Sequence, residues 1–183
     1  MTDRPDEIIE HPPVTLRRYR PEDLDELLAV ATDSRDHLRP FMPWAAEISR
    51  AAQAGFLAQA DRDWDQGVAY NYAVRSGAEL AGGVSLMARI GPGGLEIGYW
   101  IARDRTRQGL ATAAAAALTE QAFRLPGVQR VEIVHDERNV ASGGIPRKLG
   151  FTRVGHRPLD PRPEAGTGLG VVWQLTRAEY QVA

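Results

Sequence analysis

The stretch from Leu95 to Val134 constrains the fold more than any other part of the chain. Leu95–Ile101 reads as a strand and residues 109–124 as an alanine-rich helix of high intrinsic propensity. Pro126 and Gly127 stop that helix, and Val128–Val134 follows as a buried-type strand. A strand, a crossover helix and a second strand form a βαβ unit, which predicts parallel pairing of its two strands.

The flanking elements predict antiparallel pairing. Val14, Leu16 and Tyr19 lie in a first strand, and Pro21 opens a helix whose Leu24, Leu27, Leu28 and Ala31 form one apolar stripe. Ser49 can cap a second helix over residues 50–65. Residues 69–74 and 80–87, joined at Gly77, read as a hairpin, and the strand 95–101 extends it into a meander. Beyond Val134, residues 140–149 suit a short helix, and residues 151–155 and 171–175 read as the last strands. The expected fold is α/β: a mixed, mostly antiparallel sheet of about seven strands with flanking helices and a parallel βαβ core. At 183 residues the chain suits one domain, residues 14–183, preceded by a flexible arm over residues 1–13.

Composition narrows the function. The net charge is −2, without the basic excess of a nucleic-acid binder. With no cysteine, disulfides, thiolate metal sites and cysteine nucleophiles are excluded. No spacing among His11, His37, His135 and His156 suggests a metal site. No apolar run approaches the roughly 18 residues of a membrane span, and the polar first residues do not resemble a signal peptide. A soluble cytoplasmic protein, monomer or homodimer, is expected.

Two segments can carry chemistry. The first, Arg105-Thr-Arg-Gln-Gly-Leu-Ala-Thr112, joins a strand to a helix. Gly109 permits a tight turn, and the free N–H groups of the helix start, with Arg103, Arg105 and Arg107 nearby, suit an anion such as a pyrophosphate. A plain connection with solvated arginines fits the segment equally well. It is neither a nucleotide P-loop nor a G-x-G-x-x-G turn. The second runs from Asp136 to Phe151 and places Asn139 and Ser142 near a helix start, where Asn139 can also be a simple N-cap.

In this order and spacing the two segments resemble the GCN5-related N-acetyltransferase (GNAT) superfamily. The family's Q/R-x-x-G-x-G/A motif is matched by Thr106-Arg-Gln-Gly109-Leu-Ala111, with Thr106 in place of the usual Gln or Arg. The run N-V-A-S-x-x-I-x-x-K-L-G-F at 139–151, L-R-P-F-M-P-W at 38–44 and E-I-G-Y-W-I at 96–101 are similar to the branch containing ribosomal-protein Nα-acetyltransferases. The resemblance implies acetyl-CoA as co-substrate, lying in a V between strands 95–101 and 128–134, and an amine acceptor that attacks the thioester directly. Its pantetheine would pair with the backbone of Tyr99, Trp100 and Ile101, and its pyrophosphate would rest against Arg107, Gln108, Gly109, Leu110, Ala111 and Thr112. Asn139 would bind the pantetheine, and Ser142 would hold the departing sulfur. Many relatives carry a tyrosine acid at the position of Pro146, a role proline cannot fill.

Glu96 is the candidate base, directly or through water, or else a solvated strand carboxylate. Strand alternation puts Glu96, Gly98 and Trp100 on one face and Ile97, Tyr99 and Ile101 on the other. His135 could meet the substrate, although a lone histidine there is more often structural. Phe41 and Trp44 could wall the acceptor pocket or simply pack in the core. The implied acceptor is a protein or peptide N-terminus. A small amine (antibiotic, polyamine or amino acid) is the first alternative, and a non-catalytic acyl-CoA-binding domain the second.

Overall fold

The computed structural model describes residues 4–182. Eight strands form one sheet: β1 (Ile8–His11), β2 (Val14–Arg18), β3 (Ala69–Ser76), β4 (Glu79–Met87), β5 (Gly94–Ile101), β6 (Arg130–Asp136), β7 (Thr152–Pro158) and β8 (Leu169–Thr176), in the spatial order β1-β2-β3-β4-β5-β6-β8-β7. Every neighbouring pair is antiparallel except β5–β6, the parallel pair expected from the crossover. The helices are α1 (Leu24–Asp33), α2 (Arg35–Leu38), α3 (Arg50–Gln66), α4 (Leu110–Arg124), α5 (Val140–Lys148) and α6 (Arg177–Val182).

The sheet exceeds the expected seven strands because residues 8–11 are a strand and not part of a loose arm. Pro12 and Pro13 form the turn between β1 and β2, and Ile9 points inward at 8% exposure opposite Leu16. Two adjacent isoleucines with period-2 burial outweigh the acidic residues around them. Residues 1–3 of the expected arm lie outside the described residues. Ser49 caps α3 as anticipated, its Oγ accepting from Ala52 N–H at 3.1 Å.

Alanine content explains how α4 seats. Ala114, Ala115 and Ala117 are fully buried with Leu110 and Leu118, in one core with Val84, Leu86, Ile97 and Ile101. Small side chains let the helix axis approach the sheet closely while the leucines fill the remaining gaps. Ala73, on the opposite face to Val74, joins Leu27 of α1, Leu57 of α3, Tyr19 and Leu80 in a second cluster, with Trp100 packed against it. β5 therefore sends Ile97 and Ile101 toward α4 and Trp100 toward α1 and α3, as its alternation requires. No helix among the described residues is long and apolar enough to cross a membrane.

Candidate active site

The parallel pairing of β5 and β6 stops short of both strand ends. Gly94–Ile97 pairs with Arg130–Ile133, but β5 runs on to Ile101 and β6 to Asp136. On their far sides β5 stays paired with β4 through Ile101, and β6 with β8 through Asp136. The two strands thus part into a V, and the facing edges of residues 98–101 and 134–136 are left without a strand partner. Backbone N–H and C=O groups on such an edge can take an extended amide-containing ligand as an added strand.

The connection from β5 to α4 lies at the open end of the V. Gly109 is the N-cap of α4 at φ 76°, and Arg107 also has a positive φ of 62°. No side chain caps the helix, so the N–H groups of its first turn face outward. Arg105 pairs with Glu79, which takes it out of any anion site, whereas Arg103 and Arg107 form no ion pair among the described residues. A Cβ on Gly109 would meet nothing within 4 Å, but the left-handed backbone there is strained for any β-branched residue. Gly109→Val is expected to cost about 1–2 kcal/mol in folding. Its effect on CoA affinity should be larger, at least tenfold by calorimetry, because the added isopropyl group would stand before the N–H cluster. Unchanged affinity in the folded variant would make the loop a connector only.

Asn139 caps α5, its Oδ1 accepting from Ser142 N–H at 3.3 Å. The capping role and a ligand role are compatible, because the two amide hydrogens of Asn139 are not spent on the cap. Ser142 Oγ lies 3.1 Å from the hydroxyl of Tyr99, which reaches it from β5. Burial pushes the Tyr99 pKa up to about 12, against the opposing pull of Ser142, so the phenol keeps its proton.

Glu96 is not a solvated carboxylate. It is 3% exposed, and its two oxygens accept from Arg89 and Arg157 respectively. Arg157 also reaches Glu132, which stands beside Glu96 on β6, at 3.4 Å, and Arg130 approaches Glu132 at 3.5 Å. Each oxygen of this carboxylate thus accepts from one guanidinium and keeps a lone pair for a further donor such as water.

His135 is engaged at both ring nitrogens. Nε2 accepts from the indole N–H of Trp173 at 3.0 Å, so Nδ1 carries the hydrogen and donates to the Asp136 carbonyl at 2.8 Å. α5 packs against the ring so closely that a Cβ on Gly143 would fall 2.7 Å from Nε2. Burial pulls the His135 pKa below its usual value, outweighing the Asp136 carbonyl and carboxylate, which favour the cation. The histidine therefore reads as a structural neutral ring. Because the unfolded chain protonates more readily than the folded one, its stabilising contribution is present above about pH 6.5 and is lost as pH falls below it. The stability gap between the parent protein and His135→Gln, measured by urea unfolding, should narrow between about pH 7.5 and 5. A gap that widens toward acid would contradict the neutral assignment.

Asp136, which the sequence did not single out, is the polar hub at the end of β6. It is 2% exposed and accepts from the N–H groups of Arg138, Thr167 and Gly168 at 3.0, 3.2 and 2.9 Å. Burial alone would raise its pKa, but these backbone donors outweigh burial and hold it below the ordinary carboxylate value. The carboxylate thereby ties the loop between β7 and β8 to the V. A Cβ on Gly166 would fall 2.4 Å from its Oδ2, so the loop can sit this close only with glycine there. The far side of the loop is clasped to residues 39–40: Arg39 makes a two-pronged pair with Glu164 at 2.6 and 3.1 Å, and Ala165 N–H donates to the Pro40 carbonyl.

Between these parts lies a cavity of about 600 Å³, within the range of roughly 300–1,000 Å³ usual for ligand sites. It runs from Tyr99, Asn139 and Ser142 past Glu96 and His135 to Phe41, Trp44 and Phe56, with Leu159, Pro161 and Pro163 on one wall. Trp44 meets Trp100 edge to face at 5.5 Å. The cavity thus brings together Glu96, Tyr99, Trp100, Asn139, Ser142, Phe41, Trp44 and His135. The loop residues Arg107 to Thr112 lie outside its lining, on the α4 side of the V. No cluster of three or more metal-ligating side chains occurs among the described residues.

A sequence profile of the acetyltransferase (GNAT) domain matches residues 14–152, about three quarters of the chain. The protein belongs to the GNAT acetyltransferase family. Within this family YdaF of Bacillus subtilis (strain 168), described provisionally as a ribosomal N-acetyltransferase, is 27% identical over 148 residues, covering 78% of this chain and 79% of YdaF. Among solved structures, the ribosomal L7/L12 α-N-protein acetyltransferase RimL bound to coenzyme A superimposes with a TM-score of 0.86 at 21% identity, covering 94% of this chain and 99% of RimL. Mycobacterium smegmatis RimJ, with CoA-disulfide, gives 0.84 at 21% identity over 96% and 89% of the two chains. The microcin C7 self-immunity acetyltransferase MccE, with acetyl-CoA and AMP, gives 0.83 at 18% identity over 90% and 93%. At these identities the structural likeness establishes the fold. As a GNAT protein this chain is an acetyl-CoA-dependent acetyltransferase.

Proposed function

We propose that this GNAT enzyme acetylates the α-amine of a protein or peptide N-terminus. The observation that carries this reading is the continuous cavity that joins the open edge of β5 to an aromatic wall at the surface. A chain terminus can enter such a cleft lengthwise, its amine foremost. The names given to YdaF, RimL and RimJ support the same acceptor class.

The pantetheine pairs with the free edge of Gly98–Ile101, and the pyrophosphate rests on the N–H groups at the start of α4. The amine approaches from the Phe41–Trp44 side. Its nitrogen attacks the thioester carbonyl carbon, the C–N bond forms and the C–S bond breaks. The proton lost by nitrogen balances the one gained by sulfur. Ser142 meets the developing thiolate, and Asn139 holds the helix start that aims it. Glu96, with both oxygens engaged by arginines, acts on the ammonium through an intervening water.

A small-molecule acceptor is the second reading, favoured by the likeness to MccE, whose complex contains AMP. Steady-state kcat/KM for a panel of free-N-terminal peptides against polyamines, aminoglycosides and amino acids separates the two. The peptide reading expects at least a hundredfold preference for one or more peptides, and a reversed ranking would overturn it.

A further inference from the structure

Pro146 lies inside α5, one helical turn beyond Ser142. Proline has no N–H, so the carbonyl of Ser142, four residues earlier, loses its normal helical donor. The Tyr99 hydroxyl occupies that vacancy at 3.1 Å, and from the same position lies 3.1 Å from Ser142 Oγ. The residue that removes the family's usual tyrosine thus also creates the acceptor that draws in a tyrosine from another element. β5 delivers this tyrosine by alternation: Ile97 and Ile101 enter the core on the same face, and Tyr99 between them is packed against that core.

We propose that Tyr99 is a positioning residue, its hydroxyl docked on the Ser142 carbonyl that Pro146 leaves free and orienting the Ser142 hydroxyl toward the leaving sulfur. The inference rests on the reading of Ser142 as the group that meets the thiolate. A phenol has one hydrogen and can give it to the Ser142 carbonyl or to Oγ. With the hydrogen on the carbonyl, Ser142 donates back to the phenol oxygen and its hydroxyl is parked. With the hydrogen on Oγ, the serine's own hydrogen is released toward sulfur as negative charge grows there. No proton leaves Tyr99 in either arrangement. Raising the phenol pKa by burial favours this use, because a hydroxyl that stays protonated can always donate.

The test is a double-mutant cycle on kcat, with KM for acetyl-CoA and CoA affinity by calorimetry measured on the same four proteins. Tyr99→Phe keeps the ring and is expected to lower kcat by about 3–30-fold, a share of the loss expected for removing a transition-state donor outright. KM and CoA affinity should hold within about twofold. In the Ser142→Ala background the same Tyr99→Phe change should cost nothing further, a non-additivity that a general packing role would not produce. If Tyr99→Phe proves poorly folded, Pro146→Ala serves instead: it restores a helical N–H that competes for the Ser142 carbonyl, and its kcat loss should likewise vanish without Ser142. If Ser142→Ala loses activity while Tyr99→Phe retains full kcat, the inference falls and the reading of Ser142 stands. An equal loss in both backgrounds means that Tyr99 acts independently of Ser142, which also overturns the inference. Full kcat in Ser142→Ala removes both.

Discussion

Ser142→Ala is expected to lower kcat by about 10–10³-fold, with little change in folding or in CoA affinity. A thiolate departs readily only when a donor meets its charge, and the position that supplies a tyrosine in many relatives holds Pro146. Ser142 Oγ is the hydroxyl that α5 presents to the cavity at its junction with the V. The substitution removes that hydroxyl and little volume, and the Asn139 cap persists because it uses the Ser142 backbone N–H. An interaction made chiefly in the transition state lowers kcat without raising KM. Single-turnover acetyl transfer, followed with saturating acetyl-CoA, isolates the chemical step from product release. A variant with the parent's single-turnover rate would reassign the role.

Asp136→Ala should produce the largest loss of stability, about 2–4 kcal/mol. Removing the carboxylate leaves three part-buried backbone N–H groups, of Arg138, Thr167 and Gly168, without their acceptor. For a chain of this length the melting temperature should fall by about 5–15 °C. The β7–β8 loop supplies Leu159, Pro161 and Pro163 to the cavity wall, so KM for the acceptor should rise even where the variant remains folded. In the parent protein this contribution is present above the ordinary carboxylate range and is lost as pH falls through the depressed pKa of Asp136. A loss under 1 kcal/mol, from urea unfolding at neutral pH, would mean that the loop holds its place without the carboxylate.

The central motif was legible because its signals are local. Alanine richness and the Pro126–Gly127 stop marked α4, and a strand on either side required the parallel pair. Ser49 and Asn139 are legible as helix caps and Gly109 as the turn before α4, whereas the interest of Ser142 comes from the family resemblance. What escaped depends on contacts distant in sequence. Glu96 could be placed on a strand face, but its clamp comes partly from Arg157, 61 residues away. Strand alternation places Tyr99 on the face of Ile97 and Ile101, but only the position of α5 shows what its hydroxyl touches. The consequence of Pro146 for the Ser142 carbonyl follows from helix geometry, but the identity of the substitute donor does not. β1 was hidden by composition, with Ile8 and Ile9 set among acidic residues. The role of Asp136 needed the loop 166–168, which carries no periodic signal.

The most direct test of N-terminal acetyl transfer is the location of the acetyl group. The enzyme is incubated with acetyl-CoA and an equimolar mixture of peptides that carry a free α-amine and an internal lysine, together with N-terminally blocked versions of the same peptides. Fragmentation mass spectrometry then reads which nitrogen is modified. The account predicts acetyl on the first residue of unblocked peptides, no modification of the blocked set, and a slower build-up of the same product with Ser142→Ala. Acetyl on lysine side chains, or transfer confined to added small amines with every peptide untouched, would contradict it.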